Sequence, residues 1–276
     1  MKKHTALYTI LNVAGFIATL LINALANILP FNGRTTGEIS DSYPNLFVPA
    51  NITFSIWSVI YTLLAAFIVY SIFASARKKP DRSRDFIATI GPWFFVSSIF
   101  NVLWIIAWHA EIIPLTLLLM LFFFAALLRI YVLLGIGAAG GTGSAGVVGA
   151  GGTRTIRRIC VELPFSVYVG WVTVATIANV TAFLVSVNWN GFGIAESFWT
   201  VLVIVTAVLI TGFMIIRKRD YGYTLVVMWA LFGIWLKRSS VESPTSSVAV
   251  FSMLGVIILA AMLVLRILMS RRAMKA

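Results

Sequence analysis

The chain has 276 residues, of which 60% are hydrophobic and only 11% charged, a composition that excludes soluble, disordered, collagen-like and disulfide-stapled classes. Its net charge of +12, from 21 Lys and Arg against 9 Asp and Glu, would point to nucleic acid in a soluble protein. In so apolar a chain the basic residues are read first as markers of membrane orientation.

A transmembrane helix needs about 20 consecutive apolar residues. Runs of that kind, bounded by charges or turn residues, fall at 6–29, 54–76, 87–108, 112–134, 160–187, 197–216, 222–236 and 247–269. The predicted fold class is therefore all-α, a polytopic transmembrane bundle of eight helices. The first run follows Lys2 and Lys3, and Ala24, Leu25 and Ala26 imitate a cleavage site. Its apolar stretch is longer than the roughly 7–15 residues of a signal-peptide core, which predicts an uncleaved helix. Gly15, Thr19, Asn23 and Asn27 recur along it at i+4.

The second run places Phe54, Trp57, Tyr61 and Leu64 on one helical face, and the third does the same with Ser97, Asn101, Trp104 and Trp108. After the fourth run comes the low-complexity stretch 135–152, in which Gly135, Gly137 and Gly140 match GxGxxG. A dinucleotide fingerprint needs a preceding strand, whereas this stretch follows a membrane helix and lacks the GK[ST] of a phosphate loop, so 135–153 is predicted to be a cytoplasmic linker. The fifth run opens at Cys160, the single cysteine, which rules out an internal disulfide or a CxxC pair. It carries Val167, Trp171, Ala175 and Asn179 at i+4 steps. The seventh run is short, 15 residues covering about 22 Å; were it re-entrant, the basic C-terminal tail would face outward against the charge rule. HExxH, GxSxG and EF-hand patterns are absent, and Asn51, Ile52 and Thr53 form a glycosylation sequon.

Alternating sides from a cytoplasmic N-terminus puts every Lys and Arg inside except Arg34, Lys237 and Arg238. Both termini are thus expected in the cytoplasm, with the protein integral and multi-pass in the membrane (the plasma or inner membrane in a prokaryote). With that orientation Phe54, Trp57, Tyr61, Asn101, Trp104, Trp108, Trp171, Ala175 and Asn179 all fall in the outer half of the bundle, as do Asn23 and Asn27. Indoles, a phenol, amides and small residues at one depth suit a cavity for a flat, mostly apolar ligand. Two plainer readings stand beside this one. Tryptophans form interfacial belts, which suits Trp189, Trp199 and Trp235 and accounts equally for Trp57 and Trp108. Asn101 and Asn179 also fit simple interhelical hydrogen bonding.

At these residues the sequence resembles a known family. WSVIY at 57–61 resembles the W-x-x-x-Y of the second helix of the TspO/MBR family, the tryptophan-rich sensory proteins related to the mitochondrial translocator protein. NVLW at 101–104 is similar to the L-N-x-x-W region of its third helix, and YVGWVTVATIAN at 168–179 to Y-x-x-W-x-x-x-A-x-x-x-N of its fifth. The resemblance covers about residues 6–188, leaving 189–276 as three further helices of unknown role. It implies a five-helix unit, often dimeric, whose pocket takes porphyrins and other flat hydrophobic ligands between the first external loop and helices one to five. Trp57, Tyr61, Asn101, Trp104, Trp171, Ala175 and Asn179 match its motif positions, which shifts Trp57 and the two asparagines toward the pocket.

The departures are specific. The loop 30–53 keeps Pro49 but has no tryptophan, where family members commonly carry Trp and a Pro-Pro pair, which puts a loop-borne lid contact in doubt. Val167 stands where a proline is usual, with Pro164 one turn earlier, and the late Tyr and Arg of the cholesterol consensus are missing, so sterol recognition is not supported.

The expected function is a membrane receptor or sensor for a porphyrin or other tetrapyrrole-like ligand, with no required cofactor, no metal site, the lipid bilayer as its surroundings, a homodimer as the family's usual assembly and no nucleic-acid partner. The alternative is a transporter or permease for a small hydrophobic or amphipathic substrate that uses all eight helices, with the shortened seventh run, Gly222 and Gly233 as its best feature and Arg129 and Glu162 pairing or snorkelling. An enzyme is the least supported class: His109 and Glu111 do not share a helical face and read as a solvated turn.

Overall fold

The computed structural model describes residues 2–28, 33–76, 85–137, 155–242 and 246–273. Among these are eight long helices: α1 Lys2–Ile28, α2 Ile56–Ala76, α3 Trp93–His109, α4 Ile113–Leu133, α5 Leu163–Ser186, α6 Glu196–Phe213, α7 Tyr221–Val241 and α8 Ser247–Ala273. Seven helical segments are long and apolar enough to cross a membrane, and α3, with 17 residues, is the shorter exception. The chain is a polytopic helical membrane protein.

α1 packs on α2 and α3, α3 on α4, α4 on α5, and α5 returns to α2, which closes a ring of five helices. α7 lies against α5, α8 against α7, and α6 against α8. Without a hydrophobic drive between helices in lipid, close approach depends on small residues. Gly15 of α1 meets Ser98 of α3, where an added Cβ would stand 2.8 Å from Oγ. Gly170 of α5 meets α7, with an added Cβ 3.2 Å from the Tyr223 Cα. Inside the ring, Phe67 packs edge-on against Phe86, Phe94 and Phe165, all fully buried.

Two predicted runs need correction. The run 87–108 is broken: a short helix Asp85–Ile90 ends at Gly91, whose φ of +56° is followed by Pro92 at the foot of α3. A residue before proline is driven out of the helical region, and glycine takes the left-handed one at little cost. The run 222–236 is not short. α7 has 21 residues, roughly 32 Å at 1.5 Å each. It continues past Leu236 because Lys237 reaches Asp41 at 2.9 Å and Arg238 reaches Glu242 at 2.9 Å. Long cationic side chains extend a membrane helix in this way by burying their stems and pairing their heads.

The two ends of the bundle differ. At one end Thr9 of α1 hydrogen-bonds Ser75 of α2, and Arg266 of α8 donates to the Ile216 carbonyl at 3.2 Å. A buried knot lies at the same end. Asp220 caps α7 by accepting from the Tyr223 amide at 3.1 Å, accepts from the Tyr131 hydroxyl at 2.6 Å, and is bonded by the Ser166 hydroxyl, so that α4, α5 and α7 are joined. Glu162 pairs with Arg157 at 3.5 Å rather than with Arg129, which is exposed. The basic cluster Arg77, Lys78, Lys79, Arg82 and Arg84 and all of the predicted linker beyond Gly137 lie outside the described residues. At the other end sit residues 33–55, containing a short helix Thr36–Asp41 and a 3-10 turn Asn51–Ser55.

Candidate ligand-binding site

The aromatic faces of α2, α3 and α5 converge beneath the loop 33–55. They line a partly open cavity, walled by Phe54 and Trp57 from the α2 side, Trp104 and Trp108 from α3, and Trp171, Val174, Ala175, Ala178 and Asn179 from α5. Thr36, Ser40, Val48 and Pro49 of the loop complete the lining. No charged side chain is among them.

The rings hold one another in place. Trp171 meets Phe54 edge-on at 5.9 Å and Trp57 at 6.1 Å, while Trp104 stacks on Trp108 at 5.8 Å. Edge-on and offset contacts between aromatic rings contribute about 0.5–1.5 kcal/mol each beyond area burial. Hydrogen bonds then fix the two α3 indoles. Trp104 Nε1 donates to Asn179 Oδ1 at 3.0 Å, and Trp108 Nε1 donates to the Thr36 carbonyl at 3.2 Å. The Asn179 amide itself donates to the Ala175 carbonyl at 2.9 Å.

Of the nine residues that the sequence singles out, seven line the cavity: Phe54, Trp57, Trp104, Trp108, Trp171, Ala175 and Asn179. Tyr61 and Asn101 do not. Tyr61 lies below, stacked on Trp57 at 5.6 Å. Asn101 is fully buried and accepts from Asn23 Nδ2 at 2.9 Å, which ties α3 to α1. For that asparagine the interhelical reading describes the geometry; Asn179 combines both, since its side-chain oxygen anchors a wall indole.

The loop differs most from the sequence expectation. It has no tryptophan, yet it roofs the cavity through Thr36, Ser40, Val48 and Pro49. The signal that could have found it was local: Thr35 and Glu38 form a capping box, with the Glu38 carboxylate on the Thr35 amide at 2.7 Å, which starts the short helix. Those bonds, the backbone one first, hold the Glu38 carboxyl below its ordinary pKa. Of the pair read as a solvated turn, Glu111 does lie in a turn with its side chain 35% exposed, whereas His109 is buried. His109 is 2% exposed with Nε2 at 3.2 Å from Thr36 Oγ1, and Glu111 is ion-paired to Arg34. Burial first, then the Glu111 carboxylate, raises the nearby Tyr43 phenol above its ordinary pKa. Among the described residues no cluster of His, Cys, Asp or Glu could hold a metal ion.

A family model described as TSPO-like protein matches residues 9–265. The chain belongs to the TSPO-like family. The match runs beyond residue 188, through α6 and α7 and into α8. Comparison with curated proteins and with solved structures gave no significant match. In this TSPO-like protein the third and fifth helices each carry tryptophans that line the cavity, and α7 holds the loop that roofs it.

Proposed function

We propose that this protein is a membrane receptor whose cavity binds a flat hydrophobic ligand of the porphyrin or tetrapyrrole class. The observation that carries the reading is the wall itself: four indoles and a phenyl ring around one uncharged space, two of the indoles pinned by hydrogen bonds. Such a wall offers broad π-faces to a flat ring system, and Asn179, Thr36 and Ser40 offer polar contacts at its edges. The resemblance of the motifs on α2, α3 and α5 to the TspO/MBR family supports the same class. Arg157, Arg158, Arg217, Lys218, Arg219 and Arg266 gather at the opposite end, which under the positive-inside rule supports a cavity on the outer side.

Filling the cavity tests the reading. Ala175→Trp should abolish saturable binding of protoporphyrin IX to the purified full chain while the helical circular dichroism and elution volume stay unchanged. Undiminished binding to that variant would remove the cavity as the site. In proteoliposomes a receptor gives saturable binding without accumulation, whereas time-dependent accumulation of porphyrin would favour transport.

A further inference from the structure

Two of the three C-terminal helices, α6 and α7, hold the loop that roofs the cavity. Trp229, Gly233 and Lys237 stand at successive i+4 positions and form one stripe on α7. Each holds a different part of the loop. Trp229 Nε1 donates to the Thr53 carbonyl at 2.9 Å, the Gly233 carbonyl accepts from the Ala50 amide at 2.9 Å, and Lys237 pairs with Asp41 at 2.9 Å. At the head of α6, Glu196 accepts from the Leu46 amide at 2.8 Å. These attachments flank Ser40, Val48 and Pro49, the loop residues that line the cavity.

Gly233 shows how closely the loop is seated. A Cβ there would stand 1.9 Å from Thr53 Oγ1, 2.9 Å from Thr53 Cβ and 3.0 Å from Pro49 Cβ. The hydroxyl could turn away, but the other two atoms belong to the loop's own framework, so any side chain at 233 lifts the roof. Thr53 is fully buried at this contact.

We infer that α7 is part of the ligand site, with Trp229, Gly233 and Lys237 as positioning residues that hold the roof in place over the cavity and so govern how fast ligand enters and leaves. This rests on the proposed ligand reading for its rates, but not for the roof itself. Replacing one buried hydrogen bond or its close contact should shift the open fraction of the roof by about fivefold.

The test uses the full chain in nanodiscs, with Cys160→Ala removing the native thiol and Val174→Cys placing a reporter in the cavity wall, where Val174 is 5% exposed. Without any ligand, Gly233→Ala and Trp229→Phe should each speed labelling of that reporter by a water-soluble maleimide about fivefold or more. In chains that keep Val174, the same two changes should raise the association and dissociation rates of protoporphyrin IX together, where general loss of packing would raise dissociation alone. Trp229→Phe retains an aromatic ring, so it reports on the tether even if Gly233→Ala folds poorly. Labelling that stays at the parent rate in both folded variants would overturn the inference. Faster labelling in a protein whose parent form binds no porphyrin would uphold the roof and remove the ligand reading.

Discussion

The bond between Trp104 and Asn179 joins α3 to α5 and sets the orientation of a wall indole, so its removal has a measurable double effect. Trp104 is 5% exposed and Asn179 4%, and the indole nitrogen has its acceptor at 3.0 Å. Asn179→Ala leaves the indole N–H in apolar surroundings, for which an orphaned buried donor costs about 1–3 kcal/mol. In a bilayer the unfolded reference also finds partners, and side-chain hydrogen bonds between membrane helices average about 0.6 kcal/mol with a maximum near 1.7. The expected coupling between Trp104→Phe and Asn179→Ala is therefore about 1 kcal/mol, or roughly a fivefold change in an equilibrium constant. The assay is a double-mutant cycle on reversible unfolding in mixed micelles, followed by circular dichroism. Asn101→Ala serves as the contrast, since it breaks the bond to Asn23 by a similar amount but lies off the cavity. Stability should fall in both, and porphyrin affinity only in Asn179→Ala. A coupling below about 0.3 kcal/mol, within the scatter of independent sites, would refute the assignment of the bond as a structural and site-ordering contact.

Asp220→Ala strands the Tyr131 and Ser166 hydroxyls and leaves the Tyr223 amide with the Ser166 oxygen as its acceptor; it should cost about 3 kcal/mol in the same unfolding assay and leave porphyrin affinity unchanged, being at the far end of the bundle. Gly170→Leu drives a side chain into the Tyr223 backbone of α7 and should destabilise by about 1–3 kcal/mol, with α6 to α8 becoming more susceptible to protease than the five-helix ring. The lowered pKa of Glu38 means that its carboxylate favours the folded loop helix above the ordinary value of 4.5 and loses that contribution as pH falls through the still lower folded value. Hydrogen exchange of the peptide covering 33–43, corrected for intrinsic rates, should accordingly quicken below pH 4.5 in the parent chain and show no such step in Glu38→Gln.

The helical periodicity of α2, α3 and α5 was enough to bring seven of the nine singled-out residues to one cavity, because a stripe at i+3 and i+4 leaves few choices once three helices share a ring. Periodicity could not separate Asn101 from Asn179. Both lie on inward faces, and only the neighbouring helix decides that one meets Asn23 of α1 while the other meets an indole of α3. The apolar run of α7 was too short by six residues for the same kind of reason: Lys237 and Arg238 end a hydropathy run but not a helix when Asp41 and Glu242 are within reach. Beyond the Thr35 and Glu38 capping box the roof left little trace in the sequence, because most of its attachments are made by its main chain. Ala50, Leu46 and Thr53 are held by backbone groups, and a search for an aromatic lid finds nothing in such a segment.

In the proposed function the four wall tryptophans, as distinct from the interfacial ones, receive the ligand. Titration of the purified protein with protoporphyrin IX, followed by tryptophan quenching, tests this most directly when Trp57→Leu, Trp104→Leu and Trp171→Leu are run beside Trp189→Leu, whose ring packs with Phe192 and Trp199 away from the cavity. Saturable quenching in the parent chain and in Trp189→Leu, with weakened binding in each of the three wall variants, is the predicted result. Equal affinity in all five proteins would contradict it.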